Sequence, residues 1–443
     1  AVWAGASGAE GMALTNLDLK SQRLIFPLQQ NMELAPGALV TVNVSNASPA
    51  KGATLVVVNS QQMLAIVDSW TLAQKEGRAL SPYVFSYWRC PFRDTHRCDA
   101  RLRIHAPGPD RYSVVVLNAH GETLEIEGSV AYVNPGGQHL PLQYAHVDRT
   151  MWGTHCAFLA LFAVVAAHFL MDVLWCGILG TRYSATRLLA PHALFALAIL
   201  LKSLASYLGW VVFATLAEHG RVSLWRASAF ILASRLQDIS EKTFLLIVAL
   251  GWRFLRNTLT MQETRFIRTA LAVGLAASVM EVLPKETRQG LAVGAELPEG
   301  ILTLGFFMCK TLTMVAIMFN QNLIGTRLLE SPVTPVVVLE YHRHETYKNF
   351  SRLWMSLWLR DIIIFGLDQT FFNTQDAKWI TEPENFSPLN QAVIWVVYAG
   401  LYLNFFSAVR PGKASGSLRD LVHSMQAGAD AAEAPGGAAG AAA

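Results

Sequence analysis

Two stretches decide the fold. Thr123-Leu-Glu-Ile-Glu-Gly-Ser-Val-Ala-Tyr132 alternates apolar and polar side chains. That two-residue period predicts a strand with one face buried. Shortly after it, Met151-Trp-Gly-Thr-His-Cys-Ala-Phe-Leu-Ala-Leu-Phe-Ala-Val-Val165 opens an apolar run that continues to Leu179. A helix needs about 20 apolar residues to cross a bilayer, and this run supplies them. The border between two kinds of chain therefore falls near residue 148.

Upstream of that border no apolar run is long enough to span a membrane. Short segments rich in β-branched residues occur instead: Arg23-Leu-Ile-Phe-Pro-Leu28, Ala38-Leu-Val-Thr-Val-Asn-Val44, Ala53-Thr-Leu-Val-Val-Val58 and Tyr112-Ser-Val-Val-Val-Leu117. Turn-forming residues separate them, as at Ala35-Pro-Gly37 and Asn118-Ala-His-Gly121. Many short strands between turns predict an antiparallel β-sandwich over residues 1–148. Its two cysteines, Cys90 and Cys98, bracket a short loop. They read either as a loop-pinning disulfide of an oxidising compartment or as two free thiols. Asn43-Val-Ser45 and Asn46-Ala-Ser48 are glycosylation sequons. Ala1 is not an initiator Met; a cleaved signal peptide and a trimmed chain account for it equally well.

Downstream, seven apolar stretches are expected to be transmembrane helices: about 151–179, 188–216, 224–252, 266–283, 300–324, 347–367 and 390–409. This helical domain covers 149–410. The tail, 411–443, ends in an Ala/Gly-rich run that cannot bury a core and is expected to be disordered. The whole-chain composition agrees: of 443 residues 52% are apolar and 15% charged, against about 25% charged in soluble proteins. Mean hydropathy is +0.32. A net charge of +3 with no basic runs gives no sign of nucleic-acid binding. With the sandwich outside the cytosol, Arg182, Arg187, Arg253, Arg256, Arg265, Arg268, Arg327, Arg343 and Lys348 fall on the cytosolic side. Only Arg221, Lys285, Arg288 and Lys378 fall opposite. The positive-inside rule therefore places the sandwich in the lumen or outside the cell and the tail in the cytosol.

Charges inside the expected spans are the candidate functional residues. They are Lys202, Arg235, Asp238, Glu241, Lys242, Lys310, Arg360 and Asp361, with His168, Asp172 and Glu281 besides. Asp238 and Lys242 are four apart with the acid first, the favourable order on one helix face. Three readings stand: ion pairs fixing helix registry, a cavity for an anionic ligand or lipid head group, and an ion or proton path. An enzyme is not expected, nor a cofactor or metal. The later spans add no His to His155, His168, Asp172 and His192, and a zinc site needs three or four ligands. Gly-x-Ser-x-Gly, His-Glu-x-x-His and phosphate-loop patterns are absent from the sequence. The seventh stretch has no Lys for retinal, and Leu250-Gly-Trp-Arg-Phe254 stands where a rhodopsin-type receptor carries Asp-Arg-Tyr. Tyr347-Lys-Asn-Phe350 fits a clathrin-adaptor pattern but abuts the sixth stretch, where it reads as the start of a helix.

Several motifs resemble those of one family. Glu125-Ile-Glu-Gly-Ser-Val-Ala-Tyr-Val-Asn-Pro135 with Leu140-Pro-Leu142 is similar to its last sandwich strand and the lead into its first span. Leu201-Lys-Ser-Leu204, Gly251-Trp-Arg-Phe-Leu255, Leu359-Arg-Asp-Ile-Ile363 and Val409-Arg-Pro411 follow in the family's order. The chain thus resembles the lung seven-transmembrane receptors of the Golgi-dynamics-domain superfamily, to which Wntless is related. It departs from them in Asp361 after Arg360, in the long polar loop 367–390 and in a third cytosolic loop without the acidic or Ser-rich inserts often seen. The resemblance implies a multi-pass receptor of the Golgi, endosome or plasma membrane, acting in trafficking or as a cargo chaperone. The implied partners are membrane lipids, a lumenal cargo protein or ligand, and trafficking adaptors. The alternative is an orphan ligand-activated signalling receptor or an ion-conducting protein.

Overall fold

The computed structural model describes residues 14–21, 25–46, 53–76, 86–92, 96–105, 107–118, 123–179, 189–251, 259–282, 297–330, 335–359 and 386–407. The chain divides into two compact units. One comprises Ala1–Gly153, Ser206–Ile231 and Thr370–Pro388; the other comprises Thr154–Ala205, Leu232–Gln369 and Leu389–Ala443.

The first unit contains the β-sheets. Its strands are β1 (Leu14–Ser21), β2 (Ile25–Leu34), β3 (Leu39–Asn46), β4 (Ala53–Asn59), β5 (Trp88–Pro91), β6 (Arg97–Arg103), β7 (Asp110–Asn118) and β8 (Leu124–Val133). Two four-stranded sheets form, ordered β1-β8-β3-β6 and β2-β7-β4-β5, with every pairing antiparallel. Alternate residues of β3 and β8 (Val40, Val42, Val44, Leu124, Ile126, Val130) share one core with Leu55, Val57, Val114 and Val116 of the other sheet.

The unbroken runs Val56-Val57-Val58 and Val114-Val115-Val116-Leu117 have a separate cause. A helix absent from the expectations, α1 (Ser60–Glu76), covers the outer face of their sheet. Its Ile66 and Met63 pack on Val56, Val58, Val115 and Leu117. Both faces of β4 and β7 are thus covered, and no polar position is left to break the runs. A capping box starts α1. Asn59 Oδ1 accepts from the Gln62 N–H at 2.9 Å, and Gln62 Oε1 accepts from the Asn59 N–H at 3.0 Å.

Cys90 and Cys98 form a disulfide. It does more than pin a loop. Cys90 lies on β5 and Cys98 on β6, the outermost strands of the two sheets, so the bond staples the sandwich along one open side. The Tyr87 hydroxyl adds a second tie, donating to the Arg103 carbonyl at 2.5 Å and accepting from the His105 N–H at 3.1 Å.

Seven long helices follow among the described residues. They are α2 (Val147–Leu179), α3 (Leu189–His219), α4 (Leu224–Ala249), α5 (Met261–Val282), α6 (Leu297–Glu330), α7 (Pro335–Trp358) and α8 (Pro388–Ser407). Among the described residues three stretches are long and apolar enough to cross a membrane: Leu142–Met171, Ala193–His219 and Gly300–Leu323. The chain is a membrane protein. Phe307, Val315 and Phe319 stay exposed on α6, and Leu159, Val164 and Leu170 on α2, as lipid-facing positions do. One core in the second unit joins Phe158 of α2, Phe195 of α3, Phe244 of α4, Ile317 of α6, Tyr347 and Trp354 of α7, and Tyr398 of α8.

Helix bounds differ from the apolar runs in one respect. Arg265, Arg327 and Arg343, outside the expected spans, lie on α5, α6 and α7, and α7 begins at Pro335 rather than near 347. Backbone hydrogen bonding carries a helix onward after its side chains turn polar, so apolar runs under-measure helices.

Candidate functional site

Among the described candidate charges, those of α4 gather around Glu241. That residue is 8% exposed. Gln237, one turn earlier, donates from Nε2 to Oε2 at 3.0 Å, and the Tyr398 hydroxyl of α8 donates to the same oxygen at 2.9 Å. The Lys242 ammonium lies 2.5 Å from Oε1. Both carboxylate oxygens are thus occupied by the chain's own donors, the condition under which a buried charge is tolerated. The spacing pointed to an Asp238–Lys242 pair. The close ion pair is instead Lys242–Glu241, and Asp238 lies within the electrostatic reach of Lys242, Lys202 and Arg235. Lys202 of α3 also acts on Glu241.

Lys310 is half-buried on α6. Its neighbour Cys309 points a thiol at the Lys242 carbonyl, at 3.6 Å. Arg360 and Asp361 lie outside the described residues. Two further polar pairs cross between helices. His155 Nδ1 lies 2.9 Å from Ser203 Oγ, and His168 Nδ1 lies 2.9 Å from the Tyr402 hydroxyl. Asp172, one turn beyond His168, has its side chain outside the described residues. Gln237, Tyr398, Ser203 and Tyr402 are the partners that the sequence reading missed. A signal existed for two of them: Tyr398 and Tyr402 are four apart, on one face of an otherwise apolar helix. Among the described residues, no group of three or more His, Cys, Asp and Glu is placed to hold a metal.

The first unit holds a second arrangement, a joint between the sandwich and helix ends. Asn134, which follows β8, is its hub. Oδ1 accepts from the Ala35 N–H at 2.9 Å, and Nδ2 donates to the Leu140 carbonyl at 2.8 Å. The His139 N–H donates to the Ala217 carbonyl near the end of α3, at 3.1 Å. Gly220 ends α3 with a φ of +67°, and a Cβ there would meet the His139 ring at 2.8 Å. Leu140, Tyr144 and Val147 then pack on Val212, Phe213 and Leu216 of α3 and Phe230 of α4. Tyr144 stacks on Phe213 at 6.4 Å. The segment between the sandwich and α2 is therefore a packed connection rather than a free linker.

The remaining motifs fall as follows. Asn43 sits half-buried on the outward side of β3, and its Oδ1 accepts from Arg97 Nε at 3.1 Å. Asn46 is 2% exposed with an inaccessible Nδ2, so a glycan on that nitrogen does not fit the folded sandwich. Tyr347 and Phe350 are both buried within α7, and the Tyr347 hydroxyl donates to the Ala249 carbonyl at 2.5 Å. Neither side chain is open to an adaptor.

No family model matches the chain, and no curated protein matches it. Among solved structures it is similar to the crystal structure of Exiguobacterium sibiricum rhodopsin. That likeness covers 58% of this chain and 96% of the other, at 10% identity and a TM-score of 0.25, and is too loose to carry an argument.

Proposed function

We propose that this chain is a seven-span membrane receptor of the secretory pathway, a sorting receptor or cargo chaperone that binds through its lumenal sandwich. The joint carries this reading. A recognition domain that must present cargo from a membrane gains from rigid seating, and Asn134, His139 and Tyr144 provide it. Three further points support it. The Glu241 carboxylate is saturated from within, which favours a structural role for these charges. The void lined by Met32, Val57, Tyr112 and Tyr132 has a volume of about 10 Å³, room for one water, which favours recognition at the sandwich surface. Aromatic side chains mark the joint: Trp152 lies against Trp210 at 4.7 Å, and Arg226 sits over Trp225 at 5.4 Å. Such rings favour the headgroup level of a bilayer. The disulfide and the distribution of basic residues support a lumenal or extracellular sandwich. Golgi, endosome or plasma membrane is the setting that the family resemblance implies.

The test compares cells carrying the full chain with cells carrying one that lacks residues 1–133, by quantitative proteomics of secreted and surface proteins. The expected result is misdelivery of a restricted set of cargo. In the same cells Asn43→Gln, and not Asn46→Gln, removes an endoglycosidase-sensitive mobility shift. Normal delivery together with loss of a G-protein or current response would instead establish the signalling reading, which the same joint could serve by passing sandwich occupancy to α3 and α4.

A further inference from the structure

The outer edge of β6 carries an arrangement that the sandwich fold does not require. β6 ends its sheet, and among the described residues no strand lies beyond it. It pairs with β3 through its even-numbered positions. The Ile104 N–H donates to the Ala38 carbonyl, the Gly37 N–H donates to the Ile104 carbonyl, and the Asn46 N–H donates to the His96 carbonyl. In an antiparallel ladder the alternate residues face the other way. Arg97, Asp99, Arg101 and Arg103 therefore turn their backbone groups toward the free edge. Tyr87 takes only the Arg103 carbonyl and the His105 N–H.

The same four residues are exposed on the solvent face, while Cys98 is buried and Ala100 and Leu102 are half-buried. Their side chains repeat every two residues, roughly 6.8 Å along the strand. Thr41 and Leu39 of β3 stand opposite Arg101 and Arg103. Neither guanidinium has a hydrogen-bond or ion-pair partner among the described residues. Charged side chains on an edge strand often serve only to prevent aggregation, and lysine is the usual guard. Here the bases are all arginine, and the sequence has no Lys between Lys75 and Lys202. Arginine's planar fork suits carboxylates.

We propose that this edge takes up an extended acidic segment of the cargo as a fifth strand of the sheet. The inference rests on the reading of the sandwich as the recognition module, and it names the partner's chemistry. Backbone pairing along 97–101 supplies the grip, since Tyr87 already holds the Arg103 carbonyl. Acid, base, acid and acid at alternate positions of the added strand lie opposite Arg97, Asp99, Arg101 and Arg103 and supply the selectivity. A second copy of this chain is the poorer occupant. Antiparallel pairing of two β6 edges centred on Ala100 would set Arg97 against Arg103 twice, offsetting the two Asp99–Arg101 pairs, whereas an acidic strand answers every arginine.

The test uses the full chain in lipid nanodiscs and a fluorescent peptide, Glu-Thr-Glu-Thr-Lys-Thr-Glu, read by anisotropy at low and high salt. Saturable binding that weakens with salt is expected. Arg101→Glu with Arg103→Glu should weaken it about tenfold or more. A peptide with Lys at the two matching positions should restore binding to that variant, which also shows that the variant is folded. Arg101→Pro removes an outward N–H without touching the β3 ladder, so it should bind more weakly than Arg101→Gln. Equal binding by the Pro and Gln variants would overturn strand addition. Indifference to charge reversal would overturn the whole proposal. So would loss of anionic-vesicle binding alone, which would assign the arginines to lipid. If the charge-reversed chain delivers cargo normally in cells where the chain lacking 1–133 fails, this edge is not the site and the receptor reading stands.

Discussion

Replacing Glu241 by Gln tests whether the α4 cluster is a self-satisfied structural pair. Glu241 and Lys242 lie 2.5 Å apart, with side chains 11% and 21% exposed. Removing one member of a buried pair costs about 3–5 kcal/mol, because the other charge is left without compensation. Gln can still accept from Tyr398, which puts Glu241→Gln near the lower figure, about 3 kcal/mol. Lys242→Met strands the carboxylate, with Gln237 and Tyr398 still donating to it, and should cost a similar amount. The double variant carries no uncompensated charge and should return to within about 1 kcal/mol of the parent. Tyr398→Phe removes one bond to a charged acceptor and should cost about 1.5–3 kcal/mol. A thiol-reactive dye provides the assay, since Cys309 sits on the Lys242 carbonyl and reports opening of this region during a denaturant titration in detergent. Single variants within 1 kcal/mol of the parent would refute the argument. So would a double variant as unstable as the singles, since that pattern is expected if the two charges serve separate partners.

Two further substitutions probe the sandwich. Cys90→Ser with Cys98→Ser should cost about 2.5 kcal/mol for a closed loop of this length, and hydrogen exchange should accelerate along both β5 and β6; acceleration confined to residues 91–97 would mean that the bond only pins a loop. Gly128→Ala should cost about 2–6 kcal/mol, because the residue has a φ of +138° and a Cβ there would stand 2.1 Å from the Asn43 carbonyl oxygen; a parent-like unfolding curve would show that β8 can move away.

The strands read correctly from the sequence are those whose burial is one-sided or complete. β3, β4, β7 and β8 announce themselves by alternation or by unbroken Val runs. β6 was missed although it alternates. Cys98, Ala100 and Leu102 face inward, but they are small or flanked by arginines, so their apolar signal is weak. β1, Leu14-Thr-Asn-Leu-Asp-Leu-Lys-Ser21, is too polar to stand out. α1 was missed because Val56-Val57-Val58 drew attention to the sheet and not to what must cover its outer face. Asn59 and Gln62, three apart before an apolar stretch, were a readable start signal. The joint was partly legible, since the Asn134-Pro-Gly-Gly137 turn is visible in the sequence. That Asn134 would hold both Ala35 and Leu140 depends on chain segments about a hundred residues apart, which no local pattern encodes.

The α4 charges show where local reasoning stops. Spacing favours Asp238 with Lys242, and residues one apart on a helix do not normally face each other. The structure nevertheless brings Lys242 to Glu241, whose carboxylate also accepts from Gln237 one turn below and from Tyr398 of α8. One of those donors, Tyr398, lies more than 150 residues away in sequence, beyond the reach of helix periodicity. The consequence for function follows from the same bonds. A cluster that an incoming anion must first dismantle is a poor recognition site, whereas Arg101 and Arg103 on β6 present guanidinium groups that no described residue has claimed. Charge that is buried and answered holds a fold, and charge that is exposed, ordered and unanswered is where a partner gains most by binding.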